Sequence, residues 1–375
     1  MTQAFAGLQL QSTVSSEGVL TLDLAKGNWA DPAAGEIIVR IEASPLNPSD
    51  LANVFGPADL STLESGKTDA GPVLTARIPA GAMGGLAARI GQPLVGGNEG
   101  AGTVVVAGSG AEHLLGKLVG TFGGRMYAQY RKLPVADCIP LPEGATAQQG
   151  AAMFINPLTA LCFVETMKAE GHSAIVHFAA ASSLGQMLNR ICLKDGVPLV
   201  NVVRSAEQVA LLRSAGAEHV LNSSDPDFIS QLIDAVEATG ATLAFDPIGG
   251  GRQAAQVLDA MEKAALRKMT SYDRYGSGKF KQVYIYGMLD SAPVVIDGWF
   301  GYAWSVGGWL FSYSLARLGA DGAARLKQRI ADELTTTFAN SYIDELTFET
   351  MLQPDNVRAF MRRSTGGKYL LRPQG

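Results

Sequence analysis

Residues 176–186 read VHFAAASSLGQ. They close an apolar, strand-like stretch, Ser173 to Phe178, and lead into MLNRICLK, which has the pattern of a helix's opening turns. A strand, a tight turn of tiny residues and a helix is a common way to hold a pyrophosphate, because free N–H groups and the helix dipole converge on the anion. The usual fingerprint of that turn is G-x-G-x-x-G. Here a single glycine, Gly185, remains. What the phosphate requires is open backbone N–H groups with little side-chain bulk, not glycine as such. Ala179 to Ser183 supplies small residues and two hydroxyls, and Gly185 permits close helix–strand packing. The stretch therefore has two readings. In one, Ala180, Ala181, Ser182, Ser183, Leu184 and Gly185 surround a dinucleotide; in the other they form a packed corner.

The next strand separates the two. Dinucleotide folds place a ribose-recognising residue about 20 positions on, an acid where the ribose carries a free 2′-hydroxyl. Here the strand LVNVV ends in Arg204, and no acid follows until Glu207. A guanidinium fork matches a 2′-phosphate, so the expected cofactor is NADPH; the plainer alternative is a solvated loop arginine. Around this pair the chain alternates. Helical patterns at Ala147–Phe154, Leu158–Lys168, Leu184–Leu193, Ala206–Ala215, Asp227–Thr239 and Arg252–Ala265 alternate with strands at Ser173–Phe178, Pro198–Val203, His219–Leu221, Thr242–Phe245 and Gln282–Tyr286. Strict β–α alternation predicts a doubly wound parallel sheet that binds its ligand at the carboxyl ends of the strands.

Before Thr146 the grammar differs. Glu36–Ala43, Gly102–Ala107, Leu118–Phe122 and Met126–Tyr130 read as short strands separated by glycines. Between Gly56 and Pro93 a Gly/Ala-rich stretch has weak periodicity and reads as a long excursion, which either reshapes a pocket or is a peripheral insertion. A helix over Asp321–Ala339 and a closing strand Gly367–Leu371 complete the chain.

The bulk properties exclude several classes. With 375 residues and 47% hydrophobic content the chain can bury a large core, and two domains are expected. Net charge is −5 and no basic block occurs, so neither nucleic acid nor an anionic membrane is an expected partner. No uncharged apolar run reaches membrane-spanning length, and Met1–Leu10 lacks the pattern of a signal peptide. Cys138, Cys162 and Cys192 are widely spaced in apolar company, which suggests reduced thiols in the cytoplasm.

Several motifs stand together in a familiar order: Asn47-Pro-Ser-Asp50, Gly97-Asn-Glu-Gly-Ala-Gly102, Asn156-Pro-Leu-Thr-Ala160, the Ala179–Gly185 turn and Asn201-Val-Val-Arg204. In this the chain resembles the zinc-free medium-chain dehydrogenase/reductases, both the quinone oxidoreductases and the mitochondrial trans-2-enoyl thioester reductases. The resemblance implies an α/β architecture with two parts. One is a GroES-like β-rich catalytic domain, residues 1–155 completed by about 310–375. The other is a Rossmann NADPH-binding domain, residues 156–309, with the cofactor in the cleft between them. It also implies a homodimer, formed through an edge strand near Val306–Phe311. The zinc-dependent relatives carry Cys where Asn47 stands and His where Asn98 stands, and the four-cysteine structural loop is missing, so no metal is expected. Without a metal, the sensible reaction is hydride transfer from the nicotinamide to a quinone or other α,β-unsaturated carbonyl.

The catalytic candidates are Asn47, Asn98 and Tyr127. Asn47 would donate to a substrate oxygen or the nicotinamide ribose, or else form the turn before Pro48. Asn98 lies in the turn that holds metal in the relatives, and Tyr127 is a possible stacking or acid residue. Thr159 resembles a position that contacts the carboxamide. Asp246 ends its strand either near the cofactor or as a fixer of its own turn. Tyr286 and Gly287 end the last strand of the alternating series, and Tyr272 lies in a polar loop suited to the adenosine end. The thioester reductases carry a tyrosine acid where this chain has Ala58, which weakens that alternative. An alternative of another class is a non-catalytic NADPH-binding sensor or scaffold.

Overall fold

The computed structural model describes residues 5–362 and 367–375. The chain divides into two compact units, Met1–Ile155 with Lys327–Gly375, and Asn156–Leu326.

The first unit is built on two sheets. One is five-stranded and antiparallel, in the order Asp59–Thr68, Gly71–Arg77, Val19–Trp29, Phe5–Val14 and Leu94–Val95. The other runs Cys138–Pro140, Leu118–Phe122, Glu99–Ala107, Glu36–Pro45, Lys368–Leu371 and Tyr342–Leu346, with Tyr130–Pro134 also paired to Glu36–Pro45. The alternation in Val19–Trp29 is visible in burial: Leu20, Leu22 and Leu24 turn inward while Thr21 and Asp23 do not. These leucines pack with Leu10, Val54, Phe55, Leu74, Met351 and Phe360. At about 1.5–3 kcal/mol for each large apolar side chain fully buried, such clusters hold the unit together.

Three expectations are corrected in this unit. The 59–92 excursion is no loose loop: it forms the hairpin Asp59–Thr68/Gly71–Arg77 and the 3₁₀ turn Ala80–Arg89. Met126–Tyr130 is not a strand; it makes an isolated bridge, Ala128 to Gln9, and the strand Tyr130–Pro134 begins only at its last residue. Ala147–Phe154 is helical only over Ala147–Gly150, where Thr146 caps the turn through Gln149.

The second unit is a six-stranded parallel sheet, in the order His219–Asn222, Leu199–Val203, Ile175–Phe178, Leu243–Asp246, Lys281–Ile285 and Trp304–Gly308. Numbered along the chain this is 3-2-1-4-5-6, the doubly wound order whose switch point falls between Ile175–Phe178 and Leu243–Asp246. The first of these strands is buried along its whole length, as expected for a central parallel strand covered on both faces. The helix expected over Asp321–Ala339 instead starts at Phe311 and ends at Asp332, kinked at Gly319, which takes φ 70. The return to the first unit falls inside it, at Lys327.

Candidate functional site

At the end of Ile175–Phe178 the chain turns through Ala179, whose φ of 50 is uncommon for a residue with a Cβ. Ala180 donates its N–H to the Val202 carbonyl at 3.1 Å, tying the turn to the neighbouring strand. The Ser182 oxygen accepts from the Gly185 N–H at 3.2 Å and so caps the helix Ser183–Asp195. Part of the hydrogen-bonding capacity that the sequence offers to phosphate is thus used inside the turn. Ser183 and Leu184 open the helix, where N–H groups have no intrahelical acceptor. Ala180 and Ala181 are buried and add almost no bulk. A Cβ on Gly185 would lie 2.2 Å from the Ala180 carbonyl oxygen, so backbone packing demands glycine there.

Arg204 emerges beside this turn, because the parallel register sets Phe178 against Val202. Its backbone is fixed at both ends: the N–H donates to Gln208 Oε1 at 3.0 Å and the carbonyl accepts from Ser224 Oγ at 3.0 Å. The side chain is exposed and, among the described residues, has no hydrogen-bond or ion-pair partner. A cation and an open helix N-terminus lie side by side at the carboxyl edge of the sheet, which is the arrangement a phosphorylated ribose needs.

Across the switch point Asp246 is fully buried, and its carboxylate accepts from the Ile248 N–H at 2.7 Å and the Gly249 N–H at 3.4 Å. Burial raises its pKa, and the two N–H groups oppose the shift. Of its two sequence readings, fixing the turn matches these bonds. The Tyr286 hydroxyl is 2.8 Å from His177 Nε2, and its ring meets Phe163 at 4.9 Å. Burial pushes the His177 pKa down to about 3, so this histidine is neutral and pairs with the phenol. Gly287 packs on the Pro247 backbone, with 2.7 Å between a notional Cβ and the Pro247 oxygen. Thr159 is buried in the second turn of the helix Ile155–Ala169.

Tyr272 is a correction. It is 92% exposed in the loop that enters Lys281–Ile285 from the helix before it, and in a parallel sheet such a loop lies at the amino edge, away from Ala180 and Arg204. That loop is pinned by a buried ion pair, Lys281 Nζ to Glu262 Oε2 at 2.5 Å, with Ser277 Oγ donating to the same carboxylate at 2.6 Å.

In the first unit the sequence candidates belong to a buried polar cluster. Asn47 precedes the helix Pro48–Phe55; its amide donates to Glu99 Oε1 at 2.9 Å and its amide oxygen accepts from Lys368 Nζ at 2.5 Å. Glu99 is fully buried and also accepts from the Phe154 and Ile155 N–H groups at 2.8 and 2.9 Å. Asp50 accepts from the Asn47 and Asn98 N–H groups at 3.0 and 2.7 Å. Burial is the main reason its pKa rises to about 7, and the Glu99 charge adds to the rise. Asn98 is half-buried and donates its amide to Ser49 Oγ at 3.0 Å. Tyr127 is corrected from catalytic candidate to packing residue. Its ring is wedged on Gly96 and Gly97, its hydroxyl donates to the Pro45 carbonyl, and burial raises its pKa well above the ordinary phenol range.

Lys368 is the functional-looking residue that sequence reading missed. It sits in the closing strand, almost fully buried, and burial lowers its pKa against the pull of Glu99 and Asp50. The available signal was a lysine inside the apolar strand KYLL. This donor set does not suit zinc. It comprises the amides of Asn47 and Asn98, a Glu99 carboxylate that already accepts three N–H bonds and an Asp50 carboxyl that accepts two, with an ammonium group beside them.

Comparison with known proteins agrees with this architecture. Residues 183–266 match the zinc-binding dehydrogenase family model. Among curated relatives, mitochondrial enoyl-[acyl-carrier-protein] reductase of Caenorhabditis elegans is 24% identical over 242 residues, covering 62% of this chain and 61% of that one. The chain thus spans about three-fifths of that relative's length. Among solved structures, a putative NADPH:quinone reductase from Mesorhizobium loti superposes with a TM-score of 0.71 at 23% identity, covering 99% and 98% of the two chains. The Escherichia coli quinone oxidoreductase complexed with NADPH gives a TM-score of 0.68 at 18% identity, covering 98% and 100%. Among the described residues, no helix is long and apolar enough to cross a membrane.

Proposed function

Since the chain carries the two-part fold of the zinc-free medium-chain dehydrogenase/reductases and resembles their quinone oxidoreductase and enoyl reductase branches, we propose that it is an NADPH-dependent reductase of a quinone or other α,β-unsaturated carbonyl. The observation that carries this reading is the pairing of the open Ser183–Leu184 helix start with the unpartnered Arg204. When bound, the nicotinamide supplies the hydride. The roles of this chain are then to seat the pyrophosphate on the Ala180–Gly185 turn and to clamp the 2′-phosphate with Arg204. Asp246 and Gly287 hold the neighbouring strand ends in shape, and Thr159 is the candidate for the carboxamide end. Asn98 is the remaining candidate to donate to a substrate oxygen: it is half-buried and its bond to Ser49 uses one of its two amide hydrogens, whereas Asn47 is fully buried and bonded at both ends of its amide.

A second reading, enoyl thioester reduction, is favoured by the C. elegans relative. Against it, Ala58 packs partly buried beside the first unit's core and offers no proton. Dimerisation is proposed through the edge strand Trp304–Gly308, which has a single strand neighbour and lies near exposed Tyr302, Leu310 and Tyr313. No cysteine is in a disulfide and all three are buried, which supports a cytoplasmic setting.

The test is turnover. NADPH absorbance is followed with a panel of quinones, enones and a trans-2-enoyl thioester, with and without a chelator. Chelator-independent consumption with a quinone or enone supports the proposal. Turnover with the thioester alone replaces it with the second reading, and NADPH binding without any turnover favours a sensor or scaffold.

A further inference from the structure

A cleft of about 320 Å³ opens in the first unit, among residues with no part in the reading above. Its floor is aromatic and rests on a pair of glycines. Gly7 faces Gly27 across the strands Phe5–Val14 and Val19–Trp29. A Cβ on Gly27 would lie 2.5 Å from Trp29 Cη2, and one on Gly7 would lie 3.0 Å from Tyr130 Cδ2. Glycine at both positions leaves room for the two rings against the ribbon, with the closer fit at Gly27. The Trp29 and Tyr130 centroids are 5.8 Å apart, and Phe5 follows at 5.6 Å from Tyr130. Paired glycines weaken a strand pair, so this aromatic floor is made at some cost to the sheet.

The rim is cationic. Gly123, Gly124 and Arg125 all have positive φ, and the value for Arg125 is 65. A left-handed arginine is uncommon, and such strain concentrates at ligand sites. Arg125 is exposed and, among the described residues, has no hydrogen-bond or ion-pair partner. Arg131 is held beneath the same turn by its bonds to the carbonyls of Gly124 and Lys132, at 3.0 and 2.6 Å. Burial lowers the Arg131 pKa, the Arg125 charge lowers it further, and Asp137 opposes them. Lys132 completes the rim with a long 3.7 Å pair to Glu36. Asn28 adds an exposed amide.

We propose that this cleft binds a phosphorylated planar heterocycle of mononucleotide size, with its ring against Trp29 and its phosphate held by Arg125 and Lys132. The volume lies at the small end of ligand pockets, which suits a mononucleotide better than a dinucleotide. Aromatic stacking and charge-assisted bonds are the two interactions that such a ligand offers together.

The test is calorimetric titration of the full-length protein with AMP, adenosine and inorganic phosphate at low salt. It is repeated on Arg125→Ala, Trp29→Leu and Arg204→Ala. Binding of AMP is expected to weaken about tenfold or more in each of the first two variants, the scale of losing one charge-assisted bond or one stacked ring, and to stay unchanged in the third. Arg125→Gly should lose AMP equally while its urea midpoint does not fall, because glycine accepts the positive φ; this separates lost binding from lost folding. The proposal is overturned if AMP fails to bind at millimolar concentration or if Arg125→Ala leaves its affinity intact. It is also overturned if inorganic phosphate alone matches AMP. Loss confined to Arg204→Ala would place AMP on the Ala180–Gly185 turn and refute the cleft site, without touching the cofactor reading.

Discussion

Replacing Gly185 by alanine tests the packing of the nucleotide turn directly. In an ordinary helix this substitution stabilises by about 1 kcal/mol, because alanine is the better helix former. Here the new Cβ would stand 2.2 Å from the Ala180 carbonyl oxygen and 2.7 Å from Ala180 Cα. Both are backbone atoms, so no side chain can swing away. Ordinary contact needs more than a further ångström, which the helix Ser183–Asp195 can supply only by moving off the strand. Overpacking of this kind costs about 1–3 kcal/mol. The same movement displaces the Ser183 and Leu184 N–H groups that the proposed function assigns to phosphate. Gly185→Ala should therefore lose roughly 1–3 kcal/mol in urea unfolding and also bind NADPH more weakly. Gly84→Ala is the control: nothing lies within 4 Å of its notional Cβ, and no loss is expected. Unchanged stability and unchanged NADPH binding in Gly185→Ala would refute the claim that the turn is closed by backbone contact.

Three further outcomes follow from the buried charges. Lys368→Met should cost about 3–5 kcal/mol in urea unfolding, since it removes the buried ammonium that donates to Asn47 and offsets the charge of the buried Glu99. Lys281→Met should be similarly costly and should also speed proteolysis within 268–280, because Glu262 would lose the partner that pins that loop. Asp50 governs a pH dependence. Its folded pKa of about 7 lies above the ordinary aspartate value of 3.8, so the protonated form favours folding; that contribution is complete below about pH 4 and is lost as pH rises to 7. The stability difference between wild type and Asp50→Asn should therefore shift by roughly 2 kcal/mol against wild type between pH 5 and 7. A pH-independent difference in urea midpoint would contradict it.

The parts of this fold legible in the sequence were those where burial repeats with a fixed period. The strands Ile175–Phe178 and Leu199–Val203 are apolar runs because both their faces are covered, and the helix that follows each of them carries an ordinary serine cap, Ser182 and Ser205. The hairpin Asp59–Thr68/Gly71–Arg77 escaped notice because most of its first strand is exposed, its second half entirely so. The helix Phe311–Asp332 differs from the expected Asp321–Ala339 at both ends; its start is hidden because Gly319 breaks it and its aromatic opening, FSYS, has no helix-forming pattern. The same logic holds for the site. Gly185 and Arg204 could be proposed from local spacing, since a turn and the next strand lie close in sequence. The cluster of Asn47, Asp50, Glu99 and Lys368 could not, because the bond from Lys368 to Asn47 joins residues 321 positions apart. Tyr127 misled for the related reason that exposure, which decides whether a phenol can act as an acid, is set by Gly96 and Gly97 packing on its ring.

The central claim is that Arg204 and the turn beside it hold a 2′-phosphorylated dinucleotide. The most direct measurement is a fluorescence titration of wild type and Arg204→Ala with NADPH and NADH. Wild type is expected to prefer NADPH and the variant to lose about 10- to 100-fold in NADPH affinity, the scale of one charge-assisted phosphate contact, with NADH little changed. Equal binding of both nucleotides by wild type, or an NADPH preference that survives in Arg204→Ala, would contradict it.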